Sequence, residues 1–450
     1  MNPNLKKFRV TPSVVLADCE SEITIKSIEG TFKFYDDLTY EIRFVPQDMS
    51  DVPIDEEMSL LGYNKARKTY FVKPQNGEIK VKYFFSGEQE WKIHISTKEY
   101  KKYENPLYEK YRPHWDELMV APERGIDVFV YSLEEDLYKR RALRGDLHVH
   151  TFVSDGAESP EFVCANYRKS GRDFVAITDH NVFYASKEAE EKLAFVKNLK
   201  IIHGEEVHNG YIGFFLMVNL GGNYSVNDIY LNNPEKINEE VKELEKEVEV
   251  PEGLDKREYL NRVWLYREIK KSGGYAIYPH PYWSIGYNHT STKMSEAIIK
   301  NGLCDAFEII GGCSPKGNNM QIALYNDLRA DGVDIPVTGS TDSHTVLGDK
   351  HIVRSTMAFT ENDDVIKAVA GGYSVAVESV PGENVRVYGK LRLVSYTYFL
   401  LENYFPVHDE MCHTSGLFIE EYISGNEDMK EMIEKAEDKI SVYEKDFFGI

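Results

Sequence analysis

Short apolar runs alternate in this chain with helix-like segments, and each run closes on a cluster of polar side chains able to hold a metal. The runs are the strand-like stretch from Gly145 to Thr151, then Phe174-Val175-Ala176-Ile177, Lys200-Ile201-Ile202, Tyr275-Ala276-Ile277-Tyr278 and Ile335-Pro336-Val337. The later four lead into Thr178-Asp179-His180-Asn181, Gly204-Glu205-Glu206, Pro279-His280-Pro281 and Thr341-Asp342-Ser343-His344. Helices are expected at Ser159-Pro160 onward, stopped by Gly171, since Ser caps a first turn and Pro fits its start. Further helices are expected over Ala185 to Asn198, Arg257 to Ser272, Thr292 to Asn301, Asn318 to Asp331 and Glu361 to Ala370, the last before a strand from Tyr373 to Val377. Strand alternating with helix predicts a parallel α/β architecture. In barrels of that class chemistry gathers at the carboxyl ends of the strands, so ligands spread from His148 to His344 converge on one pocket.

The first run carries Asp146-Leu147-His148-Val149-His150-Thr151, followed by Ser154-Asp155-Gly156. Side chains alternate along a strand, so His148 and His150 share one face while Leu147 and Val149 face a core. Two imidazoles side by side on a rigid element suit a transition metal. Taken singly, His280-Pro281 reads as a loop end, Asp155 as a turn residue and Thr178-Asp179 as a strand cap. Their order, each at a strand end, is what argues for a joint site.

These motifs resemble the PHP superfamily, named for polymerase and histidinol phosphatase domains. The resemblance runs from Gly145 to Glu378 and includes Ala176 to Asn181, Glu206, His280-Pro281 and Gly339 to His344. It implies a distorted seven-stranded (β/α) barrel with one to three divalent metals. By the resemblance, His148, His150, Glu206 and Asp342 hold one metal, and Glu206 bridges to a second held also by His280. Asp155, His180 and His344 resemble a third site. Asp342, Glu206 and His280 take the catalytic roles, and Glu206 is chosen over Glu205 because the family's glutamate stands two residues after a glycine, here Gly204. A further family histidine is missing, because the matching run is Gly213-Phe214-Phe215-Leu216-Met217. Water or His208 would then complete the second metal. The β-rich leader and the Glu-Glu-Val-His segment are similar to the branch that includes carbaryl hydrolase-like proteins.

Imidazoles with carboxylates suit Mn, Zn or Fe, and the sequence does not choose among them. Such ions lower the pKa of water to give hydroxide near neutral pH and stabilise charge on a phosphoryl or carbonyl oxygen. Asp179 and Asn181 are candidate orienters of His180. Asp146 is either an orienter or a turn cap. His208, His289 and Glu308 are candidate pocket residues. His94, His114, His351, His408 and His413 read as surface or packing residues. Cys19, Cys164, Cys304, Cys313 and Cys412 form no CxxC pair, which argues against a zinc ribbon or a disulfide framework. Cys313 reads as buried, and Gly311-Gly312 lacks the Lys-Ser/Thr of a phosphate loop.

Residues 9–100 alternate apolar and polar in short runs, the pattern of an immunoglobulin-like β-sandwich, read as a packing or oligomerisation domain over a substrate-gating module. A connector follows over 101–143, with a possible strand at Ile126 to Tyr131. The barrel is expected over 144–380 and a helical extension over 381–450. Asn232 to Val250 reads as one charged helix. Arg140, Arg141 and Arg144 either meet a substrate phosphate or pair with carboxylates. The net charge of −21, from 74 acidic and 53 basic residues, disfavours binding to duplex nucleic acid. It leaves room for a small anionic substrate, because a metal cluster supplies local positive charge. No apolar run is long enough to span a bilayer and no signal peptide is recognised, so no membrane partner and a cytoplasmic location are expected. A homo-oligomer is left open.

Three functions fit. The first is a metal-dependent phosphoesterase acting on a small phosphorylated metabolite or nucleotide through a metal-bound hydroxide. The second is an ester, carbamate or amide hydrolase, toward which Phe215, Tyr278, Tyr282 and Trp283 near the ligands lean. The third, a non-catalytic scaffold, fits worst because eight ligand positions are present.

Overall fold

The computed structural model describes residues 4–28, 34–48, 69–97, 125–208, 215–284, 286–348 and 350–449. Most of the expected strand at 31–34, residues 101–124 of the connector and the run Gly213-Phe214 lie outside them. The chain divides into two compact units. One comprises Met1–Lys139, Ser395–Val407 and Val442–Ile450; the other comprises Arg140–Val394 and His408–Ser441. The C-terminal helices Leu391–Asn403, Phe405–Ile423 and Met429–Phe448 therefore contribute to both units.

The first unit holds strands β1 (Phe8–Thr11), β2 (Val14–Leu16), β3 (Cys19–Ser27), β4 (Tyr40–Pro46), β5 (Tyr70–Val72), β6 (Glu78–Phe85), β7 (Gln89–Ser96) and β8 (Ile126–Leu133). They form two sheets, ordered β1-β3-β6 and β2-β8-β7-β4-β5. Alternation decides which face is covered: along β7, Trp91, Ile93 and Ile95 are buried while the residues between them are half-buried. These side chains join Ile23, Ile25 and Phe85 from the other sheet in a single core. The strand expected inside the connector is β8, which pairs with both β2 and β7.

The second unit holds β9 (Arg141–Val149), β10 (Phe174–Ile177), β11 (Lys200–His208), β12 (Phe215–Leu220), β13 (Tyr275–Tyr278), β14 (Ala306–Ile310), β15 (Val337–Gly339), β16 (Arg354–Thr360), β17 (Ser374–Glu378) and β18 (Arg386–Tyr388). They make one sheet in the order β15-β14-β13-β12-β11-β10-β9-β16-β17-β18. The sheet curls almost into a barrel. The chain beyond β15 returns to β9, where Asp342 N–H donates to the His148 carbonyl at 3.0 Å and His150 N–H donates to the Ser343 carbonyl at 3.0 Å. Thr356 Oγ on β16 also donates to the Gly339 carbonyl at 2.9 Å.

The barrel is mixed where an all-parallel sheet was expected, because β12 runs antiparallel to both β11 and β13. Only residues 209–214 separate β11 from β12. A parallel crossover needs about a dozen residues, so a link this short returns the chain antiparallel. The helix expected over Asn232 to Val250 is shorter, Pro234–Leu244, and a separate helix, Val226–Asn232, precedes it, since proline cannot continue a preceding helix but starts a new one well. Other helices begin and end as their caps dictate. Ser159 accepts from Phe162 N–H, and Gly273 closes the Lys256–Ser272 helix at φ 82°, a backbone region that suits glycine. No described helix is long and apolar enough to cross a membrane.

Candidate metal centre

β9 projects His148 and His150 to the same side, and both are buried. The chain after β10 brings His180 to them, β11 brings Glu206, the turn after β13 brings His280, and the turn after β15 brings Asp342 and His344. Every one of these is at or just beyond a carboxyl end of a strand. The eight expected ligands gather in two groups of four, His148-Glu206-His280-Asp342 and His150-Asp155-His180-His344. Within each group one ligand atom per residue lies within 4.8 Å of the others.

Glu206 stands between the groups. Its Oε2 is 3.1 Å from His148 Nε2, 3.3 Å from His150 Nε2 and 3.4 Å from His180 Nδ1, while its Oε1 is 3.0 Å from His280 Nε2. Asp342 also reaches both, with Oδ1 3.0 Å from His150 Nε2 and Oδ2 3.7 Å from His280 Nε2. Asp155 Oδ2 lies 3.3 Å from His344 Nε2 and 3.8 Å from His180 Nε2. His150 Nε2 also lies 3.2 Å from His148 Nε2, 3.3 Å from Glu206 Oε2 and 3.0 Å from Asp342 Oδ1, so the expected set His148, His150, Glu206 and Asp342 is gathered too, with His280 beside Glu206.

Burial and charge oppose each other at these groups. Burial alone would raise the Glu206 carboxyl, but His148, His150 and His280 outweigh it and hold it well below the usual carboxylate range. For His148, burial would lower the imidazole, yet Glu206, Asp342 and Glu308 carry it well above its ordinary value. His180 moves the other way, lowered by burial with help from His150. The site is therefore a place where positive charge is strongly favoured.

A divalent transition metal fits this donor set of five imidazoles and three carboxylates. His148 Nε2 and His150 Nε2 stand 3.2 Å apart, too close for both to carry protons along the line between them. His150 Nδ1 is buried and has no hydrogen-bond partner among the described residues; the nearest carboxylate oxygen, on Asp155, is 3.7 Å away. Buried nitrogens left this way are costly unless something coordinates them. Asp342 also has a φ of 52°, uncommon outside glycine and typical of strain held at functional positions.

Residues behind the ligands hold them in place. Glu308, buried on β14, accepts from His148 Nδ1–H at 3.0 Å, which turns Nε2 toward Glu206 and Asp342. Asp146 accepts from Thr341 N–H and Oγ, from Tyr167 OH and from His148 N–H, so it fastens β9 to the loop that carries Asp342. Asp179 accepts from Thr151 N–H and from Ser154 N–H and thus fixes the turn leading to Asp155. Glu205, next to the chosen Glu206, is absorbed by Asn219, Ser225 and the backbone of Val226 and Asn227. Gly311 and Gly312 have a role that their spacing did not reveal. A Cβ at Gly311 would overlap the Glu308 carboxylate, and one at Gly312 would overlap that of Asp342.

Other expected candidates are elsewhere or engaged. His289 is exposed and donates to or accepts from nothing in the two groups; its ring lies 5.0 Å from that of Tyr282. The His208 backbone donates to Asn227, and its ring is in neither ligand group. Cys313 is buried, with its thiol pushed up by burial and then by Glu308. Arg140, Arg141 and Arg144 pair with Glu361, Asp363 and Asp409 respectively. Tyr278 and Tyr282 bond to Ser295 and Thr292, whereas the Trp283 ring lies 6.3 Å from that of His280. The Phe215 side chain lies outside the described residues. A further set, Asp173, His408 and Cys412, is buried, but Arg168 already neutralises Asp173 at 3.1 Å.

Residues 146–244 match the PHP domain family model. That stretch is similar to a PHP domain. It contains His148, His150, Asp155, His180 and Glu206, and the other three expected ligands, His280, Asp342 and His344, lie beyond it. An uncharacterized protein of Methanocaldococcus jannaschii is 29% identical over 151 residues, covering 31% of this chain and 68% of that protein. The DNA polymerase/3'-5' exonuclease PolX of Bacillus subtilis is 28% identical over 118 residues, which are 23% of this chain and 21% of PolX. Among solved structures, an amidohydrolase from Chromobacterium violaceum is 17% identical to this chain, with a TM-score of 0.31 over 53% of this chain and 99% of that one.

Proposed function

We propose that the PHP domain is a metal-dependent hydrolase, and more narrowly a phosphoesterase acting on a small phosphorylated metabolite or nucleotide. The observation that carries the reading is the meeting of two four-residue donor groups at Glu206. The similarity to PolX, an exonuclease by name and so an enzyme of phosphodiester bonds, supports phosphate over carboxyl chemistry.

His148, Glu206, His280 and Asp342 would hold one divalent ion, and His150, Asp155, His180 and His344 a second, drawn from Mn, Zn or Fe. Such ions supply Lewis-acid polarisation of a phosphoryl oxygen and a water acidified to near neutral pH. The protein's own part is positioning. Glu308 fixes the tautomer of His148, and Asp146 fixes the reach of the Asp342 loop. Glu206 and Asp342 span both groups, so they set how far apart two bound ions sit. Asp342, Glu206 and His280 are assigned the catalytic roles because they line the buried group. That group is closed to solvent, whereas Asp155 and His344 keep 54% and 39% of their side chains exposed and mark the open side through which substrate enters.

The test is inorganic phosphate release by Mn-loaded protein across nucleotides and sugar phosphates, with Asp342→Asn as control. Release by the wild type, lost at least a hundredfold in the variant, is expected. Silence across the panel from metal-bearing protein, with hydrolysis of carboxyl esters or carbamates instead, would move the assignment to that class.

A further inference from the structure

Behind the buried ligand group the chain leaves β14 through an irregularity. The register of β14 on β15 shifts between Glu308 and Ile310, so Ile309 is skipped in the pairing. An extra residue of this kind bends its strand, re-aims side chains and leaves ladder groups to be satisfied from elsewhere. Here one helix satisfies them. Asn318 and Gln321 lie three residues apart on one face of the Pro315–Ala330 helix, and both are buried. Gln321 Nε2 donates to the Glu308 and Ile309 carbonyls at 3.3 and 3.2 Å. Asn318 Oδ1 accepts from Gly311 N–H at 2.9 Å, and its Nδ2 donates to the Gly311 and Cys313 carbonyls at 3.3 and 3.2 Å. Gln321 Nε2 also reaches Asn318 Oδ1 at 3.3 Å, and the Cys313 thiol donates to Gln321 Oε1 at 3.3 Å. The two amides thus form one clamp on the backbone of Glu308, Ile309, Gly311 and Cys313.

The clamped segment touches the buried ligand group at three places. Glu308 accepts from His148 Nδ1–H at 3.0 Å. Gly312 lies so close to Asp342 that a Cβ there would overlap its carboxylate. The Cys313 sulfur stands 3.9 Å from the His280 carbonyl. Among the described residues neither amide bonds to a member of the open group, whose Asp155, His180 and His344 come from the loops after β9, β10 and β15. Filling the space would not require amides, since a methionine has much the same bulk. Buried amides that satisfy one another and the backbone fix a geometry, and breaking such a network is costly.

We infer that Asn318 and Gln321 are positioning residues for the buried ligand group. They hold the β14 irregularity so that Glu308 meets His148 and the Gly311-Gly312 turn sets how near Asp342 comes. This rests on the metal-centre reading above and deepens it.

The experiment titrates metal-free, full-length protein with zinc against a competing chelator. The two binding steps are assigned with His280→Ala and His344→Ala, one from each group. Gln321→Met keeps the bulk of the side chain and removes its donors. It should weaken the step of the buried group roughly tenfold and that of the open group by less than about threefold. Asn318→Ala, which unties Gly311, should do the same. In Glu308→Gln/Gln321→Met the combined loss should fall well short of the product of the two single losses, because both changes act on His148, whereas independent effects multiply. Asn166→Ala removes another buried helix amide of the same unit, one that bonds the Phe162 carbonyl at 3.0 Å. It should lower Tm and leave both steps unchanged. Cys313→Ala removes only the thiol's bond to Gln321 and gives a smaller loss in the same direction, which decides the matter if the amide variants do not fold. Steps unmoved in the variants, both steps weakened alike, or fully multiplicative losses in the double variant would overturn the positioning role while leaving the metal centre standing. Wild-type protein that takes up no zinc overturns the metal-centre reading itself, and the clamp's role with it.

Discussion

At the scale of single residues, the metal centre depends on side chains that no ligand motif announces. Glu308 was read as a candidate pocket residue, with nothing in its spacing to link it to His148. Its role appears when β14 is set across the barrel from β9. Glu308→Gln removes the charge behind His148 Nδ1 while keeping the shape, so metal affinity should fall by roughly 10–100-fold with the fold intact. Competitive chelator titration with circular dichroism would check this; unchanged affinity would remove Glu308 from the site. Gly311 and Gly312 illustrate the same limit. Gly311 must pass close to Glu308, three residues before it, and Gly312 to Asp342, brought from another part of the chain, and a sequence read along its length does not contain the second distance.

At the scale of elements, β10 and β13 occupy the residues expected of them, because four apolar residues between turn and helix signals leave little choice. The helix start at Ser159 was legible for the same local reason, and the helix expected from Thr292 begins there behind Ser291, whereas the one expected from Glu361 begins at Val365 behind Asp364. The direction of β12 was not, since it depends on the length of a link rather than on composition. Long-range charge pairing was equally hidden. Glu437, in the helical extension, is buried and receives a two-pronged bond, at 3.1 and 2.9 Å, from Arg168 on the Pro160–Lys169 helix. Arg168 also bonds Asp173, which leads into β10. Arg168→Leu leaves the buried Glu437 carboxylate without its cation and Asp173 with His408 alone, so it should destabilise the second unit by about 3–5 kcal/mol. Urea denaturation would measure it, and a loss below ~1 kcal/mol would show that water replaces the guanidinium.

At the scale of the whole molecule, acidity is distributed over both units, and the first contains a carboxyl that works against folding. Burial, with repulsion from Glu402, pushes Glu90 up to about 7 from an ordinary 4.5. An acid that holds its proton more tightly when folded gives full stability below its unfolded value and loses it as pH rises. The wild type should therefore weaken between about pH 4.5 and 7 and level off above. Glu90→Gln abolishes that titration, so its advantage should grow across the same window to roughly 1–3 kcal/mol. Thermal melts at pH 5 and pH 8 would decide it: a gap that does not widen with pH would place the loss elsewhere.

The metal centre draws on residues from His148 to His344, with Asp342 and His344 supplied by the loop that closes β15 back onto β9. A chain leaving the ribosome at about 5–20 residues per second exposes His148 roughly ten to forty seconds before Asp342 emerges. Through that interval the nascent protein displays two adjacent imidazoles and no completed cage. The full set of eight ligand positions consequently exists only once His344 has emerged, late in the synthesis of each molecule.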